Sequence, residues 1–389
     1  MTEGSGGRIG VGMVGHAFMG AVHSHAWRSA HRFFDLPMVP HLAVLGGRDL
    51  ARTKAAAAKY GWASVQTDWR ELVASDDVQL VDICTPGDTH AEIAIAALAA
   101  GKHVLCEKPL ANTVAEAEEM AAAAEQAAAR GVRSMVAFNY RRVPAIAYAR
   151  RLIEEGRLGT VRHVRAVYLQ DWLSDEQAPM AWRLRKDKAG SGALGDLGAH
   201  IVDATQYLVG DLLTGVSAVT NTFVHKRPVE GGAPGELGDV TVDDAALFLG
   251  RFASGAVASY EATRFALGRK NAMRVEVNGS LGSLAFDFES MNELSFFDSS
   301  EGDSAGFRRI LVTEPTHPYV GAWWPPGHLL GYEHTFTHEV VDLVRAIADG
   351  TDPRPSFADG LQVQRVLEAV ERSAVQGSVW TDIQTGAAQ

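Results

Sequence analysis

The chain has 389 residues, 47% of them hydrophobic, with 36 basic against 47 acidic side chains and a formal net charge of -11. At about 150 residues per domain this length corresponds to two or three domains, and the apolar content excludes a chain that is disordered throughout. The acidic balance speaks against nonspecific binding to nucleic acid or anionic membranes, which needs a basic excess. Two cysteines, Cys84 and Cys106, make neither a disulfide framework nor a four-ligand zinc site and suit a reducing compartment. Residues Met1 to Gly7 are polar, include Glu3 and lack the cationic and apolar segments of a secretory signal. The longest clean apolar run, Ile93 to Ala100, is far below the roughly 18 residues of a membrane helix. A soluble, cytoplasmic protein is expected.

In chain order, Ile9 to Val14 reads as a strand, Gly20 to about Phe33 as a helix, His41 to Leu45 as a strand, and Leu50 to Tyr60 as a helix closed by Gly61. Asp68 and Glu71 have the spacing of a capping box before another helix. Gln79 to Cys84 reads as a strand, Thr89 to Ala100 as a helix ending at Gly101, and His103 to Cys106 as a strand. Thr113 and Glu116 form a second capping box before a helix running to Arg130, with Gly131 as its stop. Met135 to Phe138 is a further strand. Strands that alternate with helices predict βαβ units and a parallel sheet over residues 1–142.

From about residue 160 strands follow one another: Val161 to Leu169, Val216 to Val224, Ala245 to Phe252, Ala256 to Arg264, Met273 to Val277, Gly282 to Phe288 and Leu294 to Phe297. Glycine-containing turns separate several of them, which predicts a mostly antiparallel sheet. A helix near Gly195 to Leu208 falls between the first two strands, and Tyr332 to Ala348 and Ala358 to Ala374 read as closing helices. Residues 228–238 read as a mobile loop. The expected fold is α/β: a doubly wound parallel sheet over 1–142 that binds a dinucleotide, then an α+β domain over 143–389 with a large open, mostly antiparallel sheet for substrate binding and oligomerisation.

Two GxGxxG frames overlap. Gly10 to Gly15 matches literally; Gly15 to Gly20 matches with Ala17 at the middle position. The second frame leaves a full strand before the turn and places backbone N–H groups at the helix start for a pyrophosphate. Gly15, Ala17, Phe18, Met19 and Gly20 are therefore candidate cofactor residues. At the tip of the second strand an acidic side chain binds the ribose 2′-hydroxyl and repels a 2′-phosphate. This chain has Gly47 there, followed by Arg48, a phosphate partner; Asp49 offers the opposing route to a ribose. The expectation is NADP favoured over NAD. His16, His23 and His25 follow or overlap the glycine loop without an accompanying carboxylate in the sequence, so core packing or a phosphate-side contact is expected rather than a metal.

Three further motifs carry a family resemblance: Thr85-Pro86-Gly87-Asp88-Thr89-His90 after one strand, Cys106-Glu107-Lys108-Pro109 at the end of the next, and Gly195-Asp196-Leu197-Gly198-Ala199-His200 downstream. With the glycine loop, they resemble the Gfo/Idh/MocA oxidoreductases across nearly the whole chain. The resemblance implies a Lys–Asp–His catalytic group, which falls on Lys108, Asp196 and His200. It also implies cofactor contacts from Thr85, Pro86, His90, Glu107 and Lys108. The chemistry asks for the same residue types, since oxidising a carbinol needs a base for the proton and a cation for the developing oxyanion. Asp196 and His200, four apart, share one face of a helix.

Within the family the chain is similar to levoglucosan dehydrogenases and related sugar 3-dehydrogenases, through residues 138–142, 168–172, 182–183 and 189–196. That resemblance implies that Tyr140, Gln170 and Arg183 join Lys108, Asp196 and His200 in contacting sugar hydroxyls, with Trp172 or Trp182 as an aromatic wall. Trp323 and Trp324 are candidates for a subunit contact or for covering the sheet. Those relatives carry an acidic residue where this chain has Gly47. The function expected is an NAD(P)-dependent oxidoreductase acting on a hydroxyl of a cyclic sugar, anhydrosugar or polyol, as a homo-oligomer, tetramer or dimer. The alternatives are an NAD-dependent glycoside hydrolase of the same fold and a non-catalytic sugar or dinucleotide sensor.

Overall fold

A computed structural model describes residues 7–229, 231–233 and 235–384. Its residues divide into two units: 1–142 with 330–361, and 143–329 with 362–389. The first stretch of the first unit ends at Arg142. Residues 330–361, expected in the second domain, pack instead with the first unit, where the helix Tyr332–Asp349 lies along the first helix of the chain.

The first unit holds six parallel strands: β1 (Gly7–Val14), β2 (Met38–Gly46), β3 (Ser64–Gln66), β4 (Leu80–Ile83), β5 (His103–Cys106) and β6 (Ser134–Val136). Their order is β3-β2-β1-β4-β5-β6, the doubly wound arrangement, whose ligand crevice lies where the order reverses between β1 and β4. The helices between them are α1 (Phe18–Phe33), α2 (Leu50–Tyr60), α3 (Trp69–Ala74), α4 (His90–Ala99) and α5 (Val114–Ala128). The Thr113–Glu116 capping box forms, with Glu116 N donating to Thr113 Oγ1 at 3.2 Å and Thr113 N to Glu116 Oε2 at 3.0 Å. At the start of α3 Asp68 caps the helix by accepting from Arg70 N, two residues on, in place of the expected box with Glu71. α1 starts at Phe18, two residues before the expected Gly20, because Ala17 already serves as its cap.

The second unit is built on a nine-stranded sheet. Its strands are β7 (Val161–Leu169), β8 (Leu213–Asn221), β11 (Ala245–Phe252), β12 (Val257–Thr263), β13 (Ala272–Gly279), β14 (Gly282–Asp287), β15 (Glu293–Asp298), β16 (Arg308–Leu311) and β17 (Thr381–Asp382). A separate hairpin pairs β9 (Lys226–Pro228) with β10 (Leu237–Asp239), so the expected loop over 228–238 begins and ends in strand; Glu230 and Pro234 lie outside the described residues. The sheet order is β16-β15-β14-β13-β7-β12-β11-β8-β17, antiparallel except for the β7–β12 pair. Helices Pro144–Glu154 and Ala199–Val209 pack on it. The first of these was not predicted; Pro144 at its first turn pre-sets the helical φ.

From Ala246 onward β11 alternates. Ala246, Phe248 and Phe252 are buried, while Leu247 and Leu249 are 47% and 59% exposed. With Val219 and Val257 these leucines leave an apolar stripe in the open, more than a lone exposed leucine would mean. Among the described residues, no helix is long and apolar enough to cross a membrane.

Candidate active site

The β1–α1 turn decides between the two glycine frames. Gly15 has φ +99°, and a Cβ there would lie 2.5 Å from the Cys84 carbonyl oxygen. A Cβ on Gly20 would meet the Gly15 carbonyl oxygen at 2.3 Å. Gly15 and Gly20 are thus required by the turn itself. Gly10 and Gly12 lie inside β1 and serve packing: a Cβ on Gly10 would reach the Asp77 carbonyl oxygen at 1.8 Å. α1 has no side-chain cap and no acidic residue in its first turn. Its first N–H groups point to an uncapped, dipole-favoured end, the arrangement that holds phosphate. This cradle fits a dinucleotide.

At the tip of β2, Gly47 is pressed against two side chains: a Cβ would lie 2.5 Å from Thr53 Oγ1 and 2.6 Å from the His16 ring. His16 Nε2 is itself 3.1 Å from Thr53 Oγ1. Arg48 is exposed. Asp49 caps α2, accepting from Arg52 N at 3.0 Å, and that backbone N–H holds its carboxyl below the usual range.

The loops after β4 and β5 are stapled by His90. Its ring lies 2.9 Å from the Thr85 carbonyl oxygen and 3.0 Å from that of Pro109. Thr89 Oγ1 donates to Thr85 Oγ1 at 2.7 Å. Lys108 is half-buried, directly after β5, and its peptide to Pro109 is cis. Its backbone N–H donates to Glu107 Oε2 at 3.1 Å. Tyr140, on a 3₁₀ turn after β6, is buried.

Behind Glu107 lies a group that the sequence did not reveal. His23 Nε2 lies 2.9 Å from Glu107 Oε1 and His23 Nδ1 2.9 Å from Asp82 Oδ2, both within hydrogen-bond distance. Trp27 Nε1 donates to the same Asp82 oxygen at 2.7 Å. All four side chains are buried. Burial opposes a charge on His23, yet Asp82 holds its pKa well above the usual imidazole range. The expectation that His23 lacks a carboxylate is corrected: two carboxylates flank it, supplied by distant strands. The donor atoms of His23, Asp82 and Cys84 lie within 4.8 Å of one another, but both ring nitrogens are already engaged by carboxylates. Burial pushes the Cys84 thiol up, which keeps it protonated. His25, two residues on, is exposed.

The second unit gathers the other expected residues. Asp196 sits on a single π turn, Leu194–Gly198, that leads into the helix carrying His200. A regular α-helix was expected; π turns recur at functional sites. Asp243 holds the turn's approach by accepting from Gly192 N at 2.7 Å and Leu194 N at 2.8 Å. From His200 a chain of contacts runs back to Asp196. The His200 ring meets Tyr168 edge-on at 5.8 Å. Tyr168 Oη and Gln170 Nε2 both donate to Asn271 Oδ1 at 2.7 Å. Trp172 Nε1 donates to Gln170 Oε1 at 2.9 Å, and the Arg264 guanidinium stands 5.4 Å from the Trp172 ring centre. Arg264, 1% exposed, lies 3.9 Å from Asp196. Burial lowers the pKa of Arg264 while Asp196 opposes that shift. Arg183 stacks over Trp182 at 4.4 Å.

Sequence reasoning assigned no role to Tyr168, Asn271, Asp243 or Arg264. Tyr168 had a signal, the period of two that puts it on the Gln170 face of β7. Asn271 and Asp243 lie beyond strand ends, where no periodicity applies, and Arg264, at the end of an expected strand, reads as a solvated charge.

A doubly wound sheet with a phosphate-ready glycine turn in one unit, and a carboxylate and an imidazole carried by the sheet unit, define an NAD-binding oxidoreductase. Two family models match: "Oxidoreductase family, NAD-binding Rossmann fold" over residues 9–138 and "GFO/IDH/MocA C-terminal domain" over 146–285. The chain belongs to the Gfo/Idh/MocA oxidoreductase family. It is 42% identical over 388 residues to levoglucosan dehydrogenase of Pseudarthrobacter phenanthrenivorans, covering 96% of this chain and 98% of that one. A solved structure of levoglucosan dehydrogenase in complex with NADH and levoglucosan matches with TM-score 0.93, over 97% of this chain and all of that one. An oxidoreductase domain protein from Kribbella flavida is 67% identical, with TM-score 0.95 over 97% of this chain and all of that one.

Proposed function

We propose that this oxidoreductase removes a hydride from a ring hydroxyl of a neutral cyclic sugar or anhydrosugar. The observation that carries this reading is the contact chain of the second unit. It offers a 45% exposed Trp172 ring bonded to Gln170, with the buried Arg264 guanidinium over the ring and Asp196 and His200 at the two ends of the chain. A neutral polyol needs such a mixture of an apolar face and several donors and acceptors. The 42% identity to a levoglucosan dehydrogenase supports the same class. The bound dinucleotide supplies the hydride acceptor. Lys108 takes the hydroxyl proton, His200 donates to the substrate oxygen, and Asp196 orients the carbinol; Gln170, Arg183 and Tyr140 hold the remaining hydroxyls. Thr85, Pro86, His90 and Glu107 shape the cofactor side. A panel of anhydrosugars, hexoses and inositols with NAD and NADP, followed by formation of reduced nicotinamide, tests this. Release of an aglycone from glycosides with no net reduced cofactor would replace it with the hydrolase reading.

NADP is favoured over NAD in this proposal. Gly47 leaves no carboxylate to repel a 2′-phosphate, and Asp49 is occupied as a helix cap. Arg48 is exposed at the strand tip. A charge-assisted contact is worth about 1.5–3 kcal/mol, or roughly 10- to 150-fold in preference. Arg48→Ala is expected to lower the NADP-over-NAD ratio of kcat/KM by about 10-fold or more. A wild type that prefers NAD, with a ratio that Arg48→Ala leaves alone, refutes the assignment.

The protein is further proposed to be a cytoplasmic homo-oligomer, a tetramer or dimer, in keeping with its two free cysteines. The stripe of Val219, Leu247, Leu249 and Val257 is the surface to be covered. Leu247→Asp with Leu249→Asp should shift sedimentation toward the 41.7 kDa monomer; a monomeric wild type at micromolar concentration contradicts the proposal.

A further inference from the structure

We infer that His23 is a positioning residue for Lys108, acting through Glu107: its ring, clamped between Asp82 and Glu107, fixes the carboxylate that in turn holds the Lys108 backbone N–H. This rests on the dehydrogenase reading above. The two oxygens of Glu107 have different tasks. Oε1 accepts from His23 at 2.9 Å, while Oε2 accepts from Lys108 N at 3.1 Å. Glu107 is 5% exposed, so its orientation depends on buried partners rather than on water. His23 is 1% exposed and is anchored on its other side by Asp82, itself held by Trp27. The chain of contacts therefore runs from the first helix, through the floor of the sheet, to the residue that carries the proposed base.

Carboxylates only accept hydrogen bonds, so two of them on opposite ring nitrogens call for both ring N–H groups. His23 is then an imidazolium between two carboxylates. Without its charge, Asp82 and Glu107 would be two buried anions with no cation between them, and burying unpaired charge is strongly unfavourable. Among the described residues, Cys84, Cys106 and Glu339 also face this cluster, and burial keeps the Cys106 thiol protonated as well. Burial holds the Cys84 thiol protonated and raises Glu339 to about 8, while Arg142, 3.8 Å from Glu339, opposes that rise. None of the three supplies the missing positive charge. The ring also packs on Phe336 at 5.3 Å, which limits its rotation. A catalytic group displaced by about an ångström loses on the order of 100-fold in rate, so Glu107 needs a fixed orientation if Lys108 is to act.

The test is a double-mutant cycle on the full-length protein, read as kcat and as dinucleotide Kd. His23→Gln and Glu107→Gln are each expected to lower kcat about 10- to 100-fold, and His23→Gln, which lies behind the cofactor side, is expected to keep Kd within a few-fold. The double variant should be no slower than Glu107→Gln alone, because His23 acts through that carboxylate. Multiplying losses, or a folded His23→Gln with wild-type kcat, overturns the inference. A second measurement needs no turnover: nitrogen-15 spectra of the histidine rings in the wild type should show His23 doubly protonated at neutral pH and above. A neutral His23 ring at neutral pH overturns the inference even if His23→Gln fails to fold. Absence of any dehydrogenase activity in the wild type would instead remove the functional reading.

Discussion

Lys108→Met is expected to lower kcat by about 10²- to 10⁴-fold, the range that a lost general acid or base produces, while dinucleotide affinity stays within a few-fold. Met keeps the length and apolar stem of Lys and removes only the ammonium. The backbone N–H that Glu107 accepts from is unchanged, so the loop after β5 keeps its hydrogen bond. The Thr85 and Pro109 carbonyls remain stapled by His90. Binding and turnover therefore separate in this variant. A kcat above about a tenth of wild type would remove Lys108 from the proton-transfer role, as would an equal loss in cofactor binding.

Gly15→Ala should have the largest effect on dinucleotide binding. Its φ of +99° is open to glycine and strained for alanine. A methyl group there would also sit 2.5 Å from the Cys84 carbonyl oxygen, which is backbone and cannot swing aside. Strain of this kind amounts to about 1–3 kcal/mol, and the turn can relieve it only by moving away from β4. The N–H groups of α1 move with it. An increase in NAD(P)H Kd of about 10- to 100-fold by calorimetry or cofactor fluorescence is expected. Gly10→Ala is the contrasting case. Its methyl would strike the Asp77 carbonyl inside the sheet, so it should lower the melting temperature. Equal binding by Gly15→Ala and wild type would remove the β1–α1 turn from the phosphate role.

The sequence by itself determined what depends on neighbours a few residues apart. Gly15 and Gly20, the Thr113–Glu116 box and Gly61 punctuate the first 142 residues, because positive φ and capping are local requirements of the backbone. The motifs around Lys108 and Asp196 also stood out, since each is contiguous. What the tertiary structure alone decided is long-range. Residues 330–361 join the first unit because the helix Tyr332–Asp349 buries its face there, a choice its own periodicity does not encode. His23 meets Asp82 and Glu107 across 59 and 84 residues, and Arg264 comes to lie beside Asp196. Charged side chains read as surface residues in a sequence, because burial is unfavourable without a partner. Only the order of the strands, which brings distant tips side by side, supplies that partner.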